Sequence, residues 1–181
     1  MEKETVLVGL SGGVDSAATA VILKNAGYRV IGATMLIWDP SLPVPQGEHA
    51  KNACLAPEKE DISEIEAIAQ KLGIEFLTVD CRERYRQVVL ENFRSEYACG
   101  RTPNPCVLCN SRIKFGVLPQ AARAQGIHFD KFATGHYARV VLDEKTGKYL
   151  LKKAVDFSRD PSYFLHRLTQ EQLSKVLFTL W

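Results

Sequence analysis

No apolar run in this sequence approaches the roughly 18 residues that a membrane-spanning helix needs. The start, Met-Glu-Lys-Glu, lacks the basic stretch, apolar core and small-residue cleavage site of a signal peptide. The expected compartment is therefore the cytoplasm, with no membrane partner. Charge of one sign is also scarce: a net +2 neither demands nor excludes a nucleic-acid partner. Cysteine is sparse and odd in number. Five thiols without a secretory signal argue against a disulfide framework, which leaves chemistry, metal binding or burial. There is no internal repeat and no low-complexity tract. What is present suits one packed domain over residues 1–181: 46% apolar residues build a core, and 24% charged residues is an ordinary globular share.

Thr5 to Leu10, TVLVGL, is a continuous apolar run of the kind that forms a buried parallel strand. SGGVDS follows, then a helical stretch to Ala26 closed by Gly27. Arg29 to Leu36 reads as a second strand. Residues 37–56 hold three prolines and Gly47 and read as a long loop. Pro57 suits the first turn of the next helix. That helix keeps Ile62, Ile65, Ile68 and Leu72 on one face, and Gly73 ends it. Glu75 to Asp80 is a third strand, and Tyr85 to Ala98 has helical apolar spacing. CGRTPNPCVLCN, rich in prolines and asparagines, reads as a loop. The next helix spans about Ser111 to Gln125, with Pro119 expected to kink or restart it. Lys131 to Thr134 is a short fourth strand leading into GHY. Val140 to Leu142 and Tyr149 to Leu151 form a hairpin, and Thr169 to Leu177 a last helix. This alternation predicts an α/β fold with a parallel sheet covered on both faces. SGGVDS, the 37–56 loop and GHY all follow strands, so they should meet at the carboxyl rim where such sheets bind ligands.

SGGVDS carries the clearest chemistry. Gly12 and Gly13 allow positive φ and close approach of backbone to a ligand. The N–H groups at the helix start, aided by the dipole, make an anion site. Ser11 and Ser16 add hydroxyl donors. Asp15 alone would repel phosphate, so its useful role is to hold Mg²⁺ against phosphates. The loop is neither GxxxxGK[ST] nor GxGxxG. Cys106 and Cys109 form a C-x-x-C, which can be a redox dithiol, half of a zinc site or part of an iron–sulfur site. A four-cysteine zinc site would want a second pair. Cys54, Cys81 and Cys99 are scattered and read as structural. Lys114 and Arg112 are candidate cations for holding a thiolate, or else solvated helix charges. His136 can steer phosphate, orient a base, or be a satisfied structural histidine.

SGGVDS resembles the PP-loop of the ATP pyrophosphatases, which split ATP between its α and β phosphates and transfer AMP to an oxygen. The resemblance narrows further along the chain. GLSGGVDS, TPNPC-x-x-CN, IKF, ATGHYAR and SYFL-x-RLTQEQL occur in the order and rough spacing of the tRNA-specific 2-thiouridylases. That resemblance covers nearly the whole chain. It implies a Rossmann-like PP-loop domain, of the adenine nucleotide alpha hydrolase-like kind, with a small C-terminal hairpin and helix. It implies that the wobble uridine of tRNA is adenylated by ATP at its C2 oxygen and then takes sulfur from a cysteine desulfurase relay or from sulfide. Gly9, Leu10, Ser11, Gly12, Gly13, Val14, Asp15 and Ser16 then bind ATP. Met35 and Gly135 border the adenosine. Asn104, Pro105 and Cys106 lie against the target base, and Cys109 is the nucleophile. Arg159, Asp160 and Pro161 stand where the family contacts tRNA, usually as KDQ.

Two departures stand out. Many family members read TPNPD where this chain has TPNPC, so a carboxylate becomes the Cys106 thiol. That raises an iron–sulfur cluster on Cys106 and Cys109, whose third ligand in such thiolases is a later cysteine. The sequence also reads LFTLW where the family continues into a second catalytic cysteine and tRNA-binding domains. On the resemblance, the chain is expected to be a fragment, a truncated product or one part of a split enzyme. The competing expectations are a non-catalytic ATP- or tRNA-binding remnant and another PP-loop ligase. No amidotransferase or amino-acid substrate motif supports the last.

Overall fold

The computed structural model describes residues 3–39 and 62–181. The 40–56 part of the proline-rich loop, Pro57 and Cys54 lie outside the described residues. Strand β1 (Thr5–Gly9) is fully buried at Val6, Leu7 and Val8. Each such side chain contributes roughly 1.5–3 kcal/mol when removed from water. Helix α1 (Val14–Asn25) returns to β2 (Arg29–Leu36), and α2 (Ile62–Leu72) leads to β3 (Glu75–Asp80). Alternation across the pleat sends Val6 and Val8 to a core shared with Leu23, Ile65 and Ala69 on the α1–α2 side. Leu7 faces the other core, with Val79, Ile113, Phe115 and Phe132. The sheet is thus covered on both faces, as a parallel sheet requires.

The second face is covered by two long helices. Helix α3 occupies residues 82–98 and contains a π segment, Arg86–Leu90. Helix α4 occupies residues 105–124 as Pro105–Leu108, a π segment Cys109–Val117, and Leu118–Ala124. This corrects the reading of CGRTPNPCVLCN as a loop. Asn104 is the extended N-cap (φ −115°, ψ 92°) and Pro105 opens the helix, where a missing N–H costs nothing. Both cysteines of the C-x-x-C therefore stand on a helix. Pro119 restarts the pattern as expected, because regular α geometry resumes at Leu118. Proline has no N–H to donate to the carbonyl four residues back. The Gln172 side-chain amide fills that role, donating to Phe115 O at 3.0 Å and to Ser111 O at 2.9 Å.

Strand β4 (Lys131–Tyr137) includes GHY rather than ending before it. β5 (Arg139–Asp143) and β6 (Lys148–Lys152) form the expected hairpin. A short turn (Phe157–Arg159) and α5 (Ser162–Leu165) follow. The last segment differs from expectation. Helix α6 (Gln170–Lys175) stops early, and Val176–Leu180 is a strand, β7, parallel to β4. A short unbroken apolar run such as VLFTL has no period that separates helix from strand. Here the open edge of β4 decides it. The sheet order is β3-β2-β1-β4-β7, with every neighbour parallel. In TQEQL, Thr169 and Gln172 form a capping box, and Gln170 exchanges two hydrogen bonds with the Tyr149 backbone. The motif thereby ties hairpin, α4 and α6 together. No helix among the described residues is long and apolar enough to cross a membrane.

Candidate active site

A cleft of about 420 Å³ opens at the carboxyl ends of β1, β2 and β4. Of the sequence-selected residues, Gly9, Leu10, Ser11, Gly13, Asp15, Ser16, Met35 and Gly135 line it. Gly12 and Val14 do not, and Val14 is 78% exposed. Gly12 holds φ +76°, which only glycine adopts without strain. Gly13 sits at φ −81°, so its conformation does not demand glycine. Of the two glycines that permit positive φ, Gly12 alone adopts it. Ser16 is buried and donates to Gly13 O at 2.9 Å while accepting from the Ser11 N–H at 3.2 Å. Ser11 in turn donates its hydroxyl to Ser16 Oγ at 3.3 Å. In this structure both hydroxyls brace the loop rather than stand open as ligand donors.

Gly135 presses β4 onto the start of α1. A Cβ there would lie 2.8 Å from both Asp15 C and Ser16 N. Two residues on, on the same side of the strand, Tyr137 donates its hydroxyl to Asp15 Oδ1 at 2.8 Å. Arg159 donates to the Tyr137 oxygen at 3.0 Å. Sequence reading passed over Tyr137, although its two-residue spacing from Gly135 places both on one face of β4. Thr134 and His136 take the opposite face, where Thr134 Oγ1 and His136 Nδ1 are 2.7 Å apart. The His136 ring lies against Phe115 and Phe178. Burial first, then the neighbouring Lys114 charge, push the histidine down to about 3. It is neutral at physiological pH, so it offers phosphate no charge but can still orient a base through a neutral ring nitrogen.

Lys114 also lines the cleft, whereas Arg112 is exposed and does not. Of the two candidate cations, Lys114 stands at the cleft. Asn104, Pro105, Cys106 and Cys109 lie outside the cleft lining, on the first turns of the helix that carries Lys114 and Leu118 into it. Cys106 is exposed and Cys109 half-buried. Asn110, buried beside them, donates to Cys106 O at 3.0 Å. Cys81 is buried at the end of β3. Burial, then the Asp80 and Cys109 charges, push its thiol up to about 12. In that state the thiol is protonated and packs in the core with Val79 and Tyr85.

Asp160 is occupied within its own turn, accepting from Ala154 N, Ser162 N and Ser162 Oγ. Burial would raise its carboxyl, but these bonds and Lys153 hold it below its usual value. Pro161 precedes α5. Among the described residues, no three His, Cys, Asp or Glu side chains gather to hold a metal ion. Asp15 alone fits Mg²⁺ that arrives on phosphates, which keeps most of its water and takes one or two carboxylates. The described thiols do not complete a three-cysteine cluster site at Cys106 and Cys109.

The tRNA methyl transferase HUP domain family matches residues 4–181 of this chain. The chain belongs to that family. A protein of Endomicrobium trichonymphae named tRNA-specific 2-thiouridylase MnmA is 53% identical over 99% of this chain and 50% of its own length. One of the same name from Methylobacillus flagellatus is 46% identical over 98% of this chain and 46% of its own. The chain spans about half the length of the curated relatives it matches. Among solved structures, a predicted subunit of tRNA methyltransferase from Methanocaldococcus jannaschii aligns with a TM-score of 0.48. It is 16% identical, over 98% of this chain and 68% of that one.

Proposed function

We propose that this chain is the ATP-binding, uridine-activating part of a tRNA-uridine 2-sulfurtransferase. The observation that carries the reading is the cleft itself. The phosphate loop, Asp15 and Lys114 line one space, and Lys114 rides on the helix that begins with Cys106 and Cys109. ATP enters with its phosphates over the N–H groups of the loop and its adenosine beside Met35 and Gly135. Mg²⁺ bound to the phosphates would supply charge neutralisation, and the Asp15 carboxylate is placed to hold it. The uridine C2 oxygen attacks the α-phosphorus and pyrophosphate leaves. The oxygen, a poor leaving group, becomes part of AMP, a good one.

Sulfur then attacks C2 and AMP departs. With hydrosulfide as donor no redox change is needed. With a persulfide on Cys109, a second thiol must break the S–S bond and end in a disulfide. Cys106, exposed and three residues before Cys109 on the same helix, is the thiol we assign to that step. Asn104 and Pro105 stand beside these thiols, where the base would have to lie. Arg159 offers a phosphate contact, and no step here passes through an iron–sulfur cluster.

The test is calorimetric titration of ATP with Mg²⁺ into the chain, followed by pyrophosphate release with unmodified tRNA. Magnesium-dependent binding that Asp15→Ala weakens at least tenfold supports the reading. A chain that binds no ATP, or an Asp15→Ala variant with unchanged affinity, refutes it.

A further inference from the structure

We propose that Tyr137 and Arg159 are positioning residues for the phosphate loop, joined to Asp15 in a hydrogen-bonded clasp that sets the orientation of its carboxylate. The inference rests on the nucleotide reading of the cleft for its functional meaning. The clasp itself rests on geometry.

Asp15 is the second residue of α1 and its carboxylate is only half-buried. Unrestrained, it would rotate about two torsions. Tyr137 removes that freedom with a 2.8 Å hydrogen bond to Oδ1. The tyrosine comes from a part of β4 that the sheet has displaced. Thr134 pairs with Phe178 and Tyr137 with Leu180, so three steps along β4 match two along β7. The extra residue is a local irregularity of the β4–β7 ladder. It falls at Gly135 and His136, where β4 touches the Asp15 and Ser16 backbone.

Arg159 completes the arrangement. Its guanidinium donates to the Tyr137 oxygen at 3.0 Å and lies 5.3 Å from the ring centroid. The turn that presents it is held by its own side chains. Asp156 accepts from the Ser158 N–H and hydroxyl, and Asp160 accepts from Ala154 and Ser162. A phenol has one donor and can accept. Here the donor goes to Asp15 and the oxygen accepts from a cation, which polarises the hydroxyl and strengthens the bond it donates. An arginine bound directly to Asp15 would compete with a metal cation for the negative charge. Routing it through a neutral hydroxyl fixes the carboxylate and leaves its charge available.

A merely structural Tyr137 would lower nucleotide affinity equally with and without Mg²⁺. A positioning Tyr137 would not. We expect Tyr137→Phe to weaken ATP binding about tenfold in Mg²⁺ and less than twofold in excess chelator, a loss of about 1.4 kcal/mol. Arg159→Ala should show the same selectivity at about threefold, and Arg159→Lys, which retains a donor, should recover most of it. In an Asp15→Asn background, Tyr137→Phe should cost nothing further. Equal losses with and without Mg²⁺, or full additivity with Asp15→Asn, overturn the proposal. If the unaltered chain binds no ATP at all, the nucleotide reading is what fails. The clasp is then judged by urea unfolding of Asp15→Ala, which removes the acceptor, Tyr137→Phe and the double variant. Non-additive stabilities support it and additive ones overturn it.

Discussion

Adding one methyl group at Gly135 should do more damage to ligand binding than to folding. The Cβ of Gly135→Ala would lie 2.8 Å from Asp15 C and Ser16 N, and 3.0 Å from Asp15 Cβ. The two nearest atoms are backbone and cannot swing aside. Reaching the 3.4 Å at which ordinary contact begins takes a displacement of about 0.6 Å. β4 cannot supply it, because the strand is clamped between β1 and β7 and its Phe132 and Ala133 are buried. The start of α1 must move instead, carrying Asp15, Ser16 and the loop N–H groups. Overpacking of this kind costs about 1–3 kcal/mol. Expressed at the loop, that is roughly a 5- to 150-fold loss of ATP affinity, at 1.4 kcal/mol per tenfold. Calorimetry measures the affinity and urea unfolding measures the stability. Gly13→Ala is the informative comparison. Its φ of −81° suits alanine and its Cβ would meet only Ser11 Oγ, at 3.5 Å. It should fold with an unchanged midpoint, yet lose affinity because the methyl group stands where phosphate must approach. Wild-type affinity and midpoint in Gly135→Ala would refute the packing argument. Wild-type affinity in Gly13→Ala would refute the phosphate placement.

Other expectations follow from the same contacts. His136 is held neutral, with its proton affinity pushed down to about 3 from 6.5. The unfolded chain therefore binds a proton more readily, and stability is lost as pH falls through the window from 6.5 toward 3. Urea unfolding at pH 7 and pH 5 should show a loss of about 1–2 kcal/mol that His136→Gln lacks, and equal pH dependence in both would contradict the assignment. Gln172→Glu keeps an acceptor for the Thr169 N–H but removes the donor to Ser111 O and Phe115 O. It should destabilise the chain by about 2 kcal/mol, and a variant as stable as wild type would show that water replaces the amide.

Much of this molecule was legible before any coordinates. β1, the phosphate loop and α1 announce themselves locally, because an apolar run, a glycine pair and a helix start need only their own neighbours. The same holds for the β5–β6 hairpin, whereas Met35 and Gly135 were singled out only through the family resemblance. Other features depend on contacts that no local window contains. VLFTL became β7 because β4 had an open edge to pair with. Pro105 read as part of a loop, yet it opens α4, which packs on the sheet. Gln172 reaches Phe115 across 57 residues, and Tyr137 reaches Asp15 across 122. Residue type and order therefore determined which chemistry the chain carries, since phosphate, thiol and carboxylate chemistry belong to individual side chains. Only the tertiary structure decided which of them share a cleft and which groups hold Asp15 in place, because hydrogen bonds act over about 3 Å in space, whatever the separation along the chain.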